Sequence, residues 1–180
     1  MVGGAIIYGE ERSGHAEIIR NSRGIDQIAF RSAANLANRD GVEEFSEGEF
    51  ATLNAAGEAA KLGASPTGLA YLVLIGKERT DVRGSRTTAL VVGSGYHAET
   101  SGFFLDVTYT ASDYSLGVRL TAVKDAADGI GKLRPAASTE PIVATCLSGV
   151  RDVLSDAGLA RGDTARKVIT IEFLPRGFEP

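Results

Sequence analysis

Two neighbouring stretches of alternating apolar and polar residues constrain this fold more than any other feature of the chain. Residues 103–110 (FFLDVTYT) and 115–122 (SLGVRLTA) both repeat with a period of two, which is typical of a strand with one buried face. A hairpin between them pairs Val107 with Val118 on the apolar face and sets Asp106 opposite Arg119. Because a slip by one residue would turn these apolar side chains to water, the pattern predicts one register.

Three segments carry helix signals. Residues 47–62 follow Ser46, which forms a Ser-x-x-Glu capping box with Glu49, and they end before a glycine. Residues 25–38 place apolar side chains on one side. A third helix is predicted between Thr139 and Gly158, where apolar residues recur about once a turn at Ile142, Cys146, Val150, Val153 and Ala157. Each of these helices is expected to lay one face on a sheet.

The remaining strands complete a fold prediction. Residues 69–75 and 87–92 are apolar on both faces, as in central strands, whereas 168–174 alternates. We therefore expect a single α+β domain over residues 1–180, with helices packed on a mixed, largely antiparallel sheet. Residues 1–85 and 86–180 repeat the order apolar strand, glycine, His-Ala-Glu, so they are candidates for two duplicated halves, although chance convergence explains the pattern equally well.

Composition narrows the possible partners and location. The net charge is −4 and no stripe of Lys and Arg is present, which argues against a nucleic-acid partner. No apolar run approaches the roughly 20 residues of a membrane span, and no leader pattern begins the sequence. The single cysteine cannot form an internal disulfide, as is common in reducing compartments. A cytoplasmic protein without a membrane partner is expected.

The two histidines of the chain occur in the same tripeptide, His15-Ala-Glu17 and His97-Ala-Glu99. On a strand, a His-x-Glu pair points both side chains to one face. If both tripeptides converge, two imidazoles and two carboxylates would suit a divalent transition metal such as Zn²⁺, Mn²⁺ or Fe²⁺. Without a metal, the His97–Glu99 pair could act as a general acid and base. The alternative is a pair of solvent-exposed loop histidines.

A charged cluster lies between two predicted central strands. Arg79, Arg83 and Arg86 would bind a carboxylate or phosphate if they converge on a pocket at the end of the sheet. Otherwise the cluster is a solvated turn with internal ion pairs.

The only cysteine lies in the string Ala-Thr-Cys146-Leu-Ser-Gly. This string is similar to the segment around the nucleophilic cysteine of thiolases, and the resemblance implies a reactive thiol at a helix N-terminus. The histidine motifs of that family have no match in this chain. The apolar spacing of Ile142, Cys146 and Val150 instead predicts a buried structural thiol.

Two functions follow from these residues. The first is a small cytoplasmic enzyme, a hydrolase or lyase, that acts on a polar anionic metabolite with His97 and Glu99 as acid–base groups or metal ligands. The second is a non-catalytic oligomeric assembly or regulatory module in which the histidines are incidental. The sequence leaves open whether the protein is an enzyme. In both cases we expect a homo-oligomer, because a sheet face that its own chain leaves exposed is often covered by a symmetric copy of the protein.

Overall fold

The computed structural model describes residues 16–20, 27–38, 41–78, 87–91, 96–153 and 165–178, and it is nearly all β-sheet. Within these ranges the structure has twelve β-strands, and its helical residues form a single 3₁₀ turn, Ala111–Asp113. The predicted α+β fold, with helices packed on a mixed sheet, is therefore wrong. Two antiparallel sheets take its place. Within the described ranges, no helix has the length and apolar character needed to cross a membrane.

Twelve strands are described. Their bounds are β1 Ala16–Arg20, β2 Gln27–Arg31, β3 Phe50–Leu53, β4 Ala59–Lys61, β5 Tyr71–Glu78, β6 Thr87–Val91, β7 Tyr96–Thr100, β8 Arg119–Lys124, β9 Gly131–Pro135, β10 Ile142–Cys146, β11 Arg151–Val153 and β12 Arg166–Phe178. The larger sheet has seven strands in the order β1-β7-β12-β10-β8-β9, and β11 pairs with β12 beside that path. The smaller sheet has five, in the order β2-β6-β5-β3-β4.

The two end strands of the smaller sheet meet each other. Ser32, directly after β2, forms a parallel bridge with Ala59 of β4, and the Ala33 N–H donates to the Ala59 carbonyl at 2.8 Å. The buried Ser32 hydroxyl also hydrogen-bonds the Thr88 hydroxyl of β6 at 2.8 Å. These contacts bring the two ends of the smaller sheet together and pair the outer edge of β4 at Ala59.

The main core lies between the two sheets and takes apolar side chains from both. Two glycines on the side of the larger sheet let its backbone approach that of the smaller sheet closely. A Cβ on Gly131 would lie 1.9 Å from the Phe50 carbonyl oxygen, and a Cβ on Gly102 would lie 2.1 Å from the Gly48 carbonyl oxygen. The fully buried members of this core include Phe50, Leu72, Val91, Ala98, Leu120, Leu133, Ile169, Ile171 and Phe173. Close backbone contact and shared side chains therefore hold the sheets together.

The three predicted helices are wrong in the same way. Residues 25–38 contain β2, residues 47–62 contain β3 and β4, and the segment after Thr139 contains β10 and β11. A spacing of four residues fits one helical turn, but it also equals two strand periods. Ile142 and Cys146 are four apart, and Ala144 between them is buried with them, as a strand requires. The apolar spacing thus fitted either structure, and long-range pairing decided between them.

One of the two hydrogen bonds of the predicted capping box forms, and it forms without a helix. The Glu49 carboxylate accepts the Ser46 backbone N–H, as it would at a helix N-terminus. However, Gly48 has φ +84°, a left-handed conformation that interrupts a helix, and Phe50 begins β3 immediately afterwards. The hydrogen bond from the Ser46 N–H to Glu49 therefore closes a turn that leads into β3, instead of starting a helix.

The strands predicted at 69–75, 87–92 and 168–174 are confirmed as β5, β6 and part of β12. All three are interior strands of their sheets, each with a neighbour on both sides. Their buried side chains explain why the apolar pattern identified them.

The hairpin predicted over 103–122 is wrong. β8 begins only at Arg119, and it pairs with β9 and β10 rather than with the preceding segment. Val107, predicted to face Val118 in the core, is 100% exposed. The Asp106 carboxylate accepts backbone N–H groups two and three residues ahead, so the chain turns before the alternation can extend into a strand. The predicted pairing of Asp106 with Arg119 is wrong as well.

Candidate functional site

His97 and Glu99 project from one face of β7. Side chains alternate along a strand, and the intervening Ala98 and the following Thr100 are fully buried. His97 is half-buried, and Glu99 is 5% exposed. The pair therefore lies on the outer face of the larger sheet, the face that points away from the main core.

The pairing of β1 with β7 brings parts of the two His-Ala-Glu segments together. Glu17 is opposite Glu99 in the ladder, and Arg20 is opposite His97. His15 lies outside the described residues. For the two motifs, the structure thus establishes a backbone register that places Glu17 beside Glu99.

Arg151, at the start of β11, reaches across β12 to Glu99. Its guanidinium donates to the Glu99 carboxylate and lies 3.3 Å from the Thr170 hydroxyl of β12. The ion pair offsets the cost of burying the Glu99 carboxylate. Sequence reasoning does not find Arg151, because the apolar spacing predicts a helix over residue 151 and no local pattern connects this residue to residue 99.

His97 belongs to a row of polar side chains across four strands of the outer face. Glu172 of β12 is opposite His97, Thr145 of β10 is opposite Glu172, and Arg119 of β8 is opposite Thr145. Within the described ranges, no side-chain hydrogen bond or ion pair engages His97, Glu172 or Arg119. Arg119, the exposed end of the row, is thus a cation without a counter-ion in this part of the chain.

The other predicted site residues cannot be placed beside this row. Arg79, Arg83 and Arg86 lie outside the described residues, as His15 does. Among the residues that are described, no group of three or more His, Cys, Asp or Glu could hold a metal ion. The transition-metal site at His15, Glu17, His97 and Glu99 and the anion-binding arginines therefore stay predictions.

Cys146 is a buried structural thiol, as its apolar spacing predicted. It is fully buried in β10, and its Sγ donates to the Ser148 carbonyl at 2.9 Å. Burial raises the pKa of the Cys146 thiol, because a low-dielectric environment disfavours the thiolate. Since the thiolate is the nucleophilic form, this setting opposes the reactive role that the thiolase resemblance implies.

A second surface, which leads directly into Arg119 at the exposed end of that row, is formed by residues 104–118, the 104–118 loop, and internal hydrogen bonds hold it in place. Asp106 Oδ1 accepts the backbone N–H groups of Thr108 and Tyr109 at 2.7 and 2.9 Å. Asp113 Oδ2 accepts the backbone N–H of Thr110 at 2.7 Å. Two aspartates thereby close two consecutive turns, which makes the loop a preorganised structure.

The 104–118 loop is also anchored to the core, yet it exposes apolar side chains. Tyr114 is fully buried, packs edge-on against Phe103 with ring centroids 4.9 Å apart, and donates its hydroxyl to the Phe104 carbonyl at 2.6 Å. Val107 is 100% exposed and Leu116 75% exposed. The loop therefore presents apolar groups to water from a fixed backbone.

No protein-family model matches the chain, and neither does any curated protein or solved structure. The function must therefore be inferred from the two surfaces described above. The outer sheet face carries polar groups, one of which is already neutralised by Arg151, whereas the 104–118 loop carries apolar groups that nothing in the described chain covers.

Proposed function

We propose that this protein is a non-catalytic assembly module that joins copies of itself through the 104–118 loop. The observation that carries the proposal is the complete exposure of Val107, together with the 75% exposure of Leu116, in one anchored loop. Leu105 of the same loop is 40% exposed. Single exposed apolar residues are common on protein surfaces, but several in one preorganised loop are typical of a contact surface.

The energetics favour a protein contact. Removing a Val or Leu side chain from water stabilises a complex by about 1.5–3 kcal/mol. A loop that is disordered before binding would lose part of this gain to ordering. The bonds made by Asp106, Asp113 and Tyr114 order the loop before any partner arrives. Binding then loses little free energy to ordering the loop backbone.

The enzyme hypothesis has weaker support. Its acid–base pair needs an available Glu99 carboxylate, but that carboxylate is buried and bonded to Arg151. A structural role for Glu99 accounts for both features. We propose a cytoplasmic location for the assembly, supported by the presence of one cysteine, a free and buried thiol.

The test is self-association measured by sedimentation velocity and light scattering over a range of protein concentrations. Wild type should form an oligomer, and Val107→Glu and Leu116→Glu should shift it to monomer. The matched control is Leu36→Glu, since Leu36 is 95% exposed but lies in the smaller sheet's β2–β3 connection. It should assemble like wild type.

Both loop variants should remain folded, because neither side chain contributes to the core. Their urea unfolding midpoints should stay close to that of wild type. A wild-type protein that is monomeric at every concentration would overturn the proposal, and so would a Leu36→Glu variant that dissociates as readily as the loop variants.

A further inference from the structure

We infer that the 104–118 loop forms an isologous contact, in which the loop of one copy packs against the same loop of a second copy around a two-fold axis. This inference rests on the proposed function and specifies its geometry. In an isologous contact one patch must complement itself, so it needs an apolar centre and charges of both signs.

The loop and the strand that follows it meet this requirement. The apolar centre is supplied by Leu105, Val107 and Leu116. Negative charge is supplied by Asp106 and Asp113, and no Lys or Arg lies between residues 101 and 118. Positive charge follows at once, in the exposed Arg119 at the first position of β8.

The cation at position 119 is available to a second chain. Within the described residues the Arg119 guanidinium has no hydrogen bond or ion pair. By contrast, Arg134 on the neighbouring strand β9 is held by Glu140 at 2.6 and 2.7 Å. Of these two cations on adjacent strands, Arg119 is the one left without a counter-ion.

The acidic side of the contact is available too. Asp106 and Asp113 each use one carboxylate oxygen for the loop's own N–H groups, Oδ1 of Asp106 and Oδ2 of Asp113. The other oxygen of each is free to accept a guanidinium N–H, because a carboxylate accepts several hydrogen bonds. A two-fold axis through the apolar centre would place Arg119 of each copy against the acidic loop of the other, so the two ion pairs would form symmetrically.

Two experiments test this geometry. The first places a cysteine at the proposed axis by Val107→Cys and measures crosslinking with oxidant or a short bis-maleimide. The native Cys146 is fully buried, so it contributes little background. The Val107→Cys protein should give a crosslinked dimer, whereas Leu36→Cys, which is just as accessible, should not.

The second experiment reverses one charge on β8. Arg119→Glu should weaken self-association by at least about tenfold, because the variant brings like charges together at the contact. Lys124→Glu makes the same change at the exposed opposite end of the same strand and should alter association by less than about twofold.

The outcomes separate the two proposals. If wild type is monomeric, the assembly function fails and the isologous contact fails with it. If wild type assembles and Val107→Glu disrupts it, but Val107→Cys does not crosslink or Arg119→Glu behaves like Lys124→Glu, the assembly function stands and the isologous contact is overturned.

Discussion

The Glu49 carboxylate accepts a hydrogen bond from the backbone N–H of Gly131 at 3.3 Å, across the boundary between the two sheets. Lys61 of β4 neutralises this carboxylate, with its Nζ 2.8 Å from both oxygens. Glu49 is only 1% exposed, and burial raises its pKa even though Lys61 acts in the opposite direction. A buried charge thus links the smaller sheet to the edge strand of the larger one, and it depends on Lys61 for compensation.

The first prediction concerns that compensation. Lys61→Met should lower the free energy of unfolding by about 3 kcal/mol, because it leaves a buried carboxylate without a counter-ion. Lys124→Met, at an exposed lysine with no ion pair in the described ranges, should change it by no more than about 0.5 kcal/mol. Urea unfolding at neutral pH measures both variants. The deficit of Lys61→Met should shrink in acid, where Glu49 is protonated; equal stabilities at neutral pH would contradict the role of Lys61.

The second prediction concerns the backbone contact at the same boundary. A Cβ on Gly131 would lie 1.9 Å from the Phe50 carbonyl oxygen and 2.9 Å from its carbon, and neither backbone atom can move as a flexible side chain could. Gly131→Ala should therefore destabilise the fold by about 3 kcal/mol or more.

The control for Gly131→Ala is Gly63→Ala, where the nearest atom to a new Cβ is 4.0 Å away. This substitution should be neutral within about 0.5 kcal/mol. Thermal unfolding of the two variants side by side gives the comparison. Similar melting temperatures would mean that the sheets are not pressed together at Gly131.

The sequence predicted individual strands better than the architecture. Residues 69–75, 87–92 and 168–174 carry dense apolar patterns that match interior strands, and all three were found. The helix predictions failed because their evidence was the four-residue spacing of pairs such as Ile142 and Cys146, which a strand satisfies as well. Only the partners across the sheet, distant in the sequence, distinguish the two structures.

The hairpin shows a different limit. The alternation over 103–110 gave the clearest local pattern in the chain, but Asp106 bonds to nearby N–H groups and turns the backbone instead. Such local side-chain bonds compete directly with strand pairing. At the outer sheet face, the His-x-Glu pattern was enough to infer that His97 and Glu99 share a side. The partner of Glu99, Arg151, comes from 52 residues away, and no sequence spacing indicates it.

The third prediction is a pH dependence. Two guanidinium nitrogens of Arg134 donate to the two carboxylate oxygens of Glu140 and hold the pKa of that carboxyl below its usual range. A lowered folded-state pKa means that the pair stabilises the fold above the usual Glu pKa of about 4.3, and that this contribution is lost as the pH falls through the folded-state pKa.

The pH dependence can be isolated with a double-mutant cycle. Glu140→Gln should be less stable than wild type at neutral pH, and the difference should vanish in acid. In an Arg134→Gln background, the same Glu140→Gln change should have no comparable pH dependence, because the guanidinium is already absent. Unfolding free energies of the four proteins at several pH values give the result. A stability difference between wild type and Glu140→Gln that stays constant into acid would disprove the coupling.

The fourth prediction concerns the anchor of the 104–118 loop. The Tyr114 hydroxyl is fully enclosed and donates to the Phe104 carbonyl at 2.6 Å, so Tyr114→Phe leaves a carbonyl without its partner in a buried setting. The loss should be about 1 kcal/mol of unfolding free energy, and amide hydrogen exchange within the loop should become faster.

The control for the anchor is Tyr71→Phe. Tyr71 is 9% exposed, and its hydroxyl makes no hydrogen bond within the described ranges, so the same atom is removed without breaking a bond. Its unfolding free energy should stay within about 0.5 kcal/mol of wild type, with unchanged exchange over 104–118. If Tyr114→Phe is indistinguishable from Tyr71→Phe in both measurements, the hydroxyl does not anchor the loop. The fixed conformation of the 104–118 loop would then come from the turns closed by Asp106 and Asp113 and from the packing of the Tyr114 ring against Phe103.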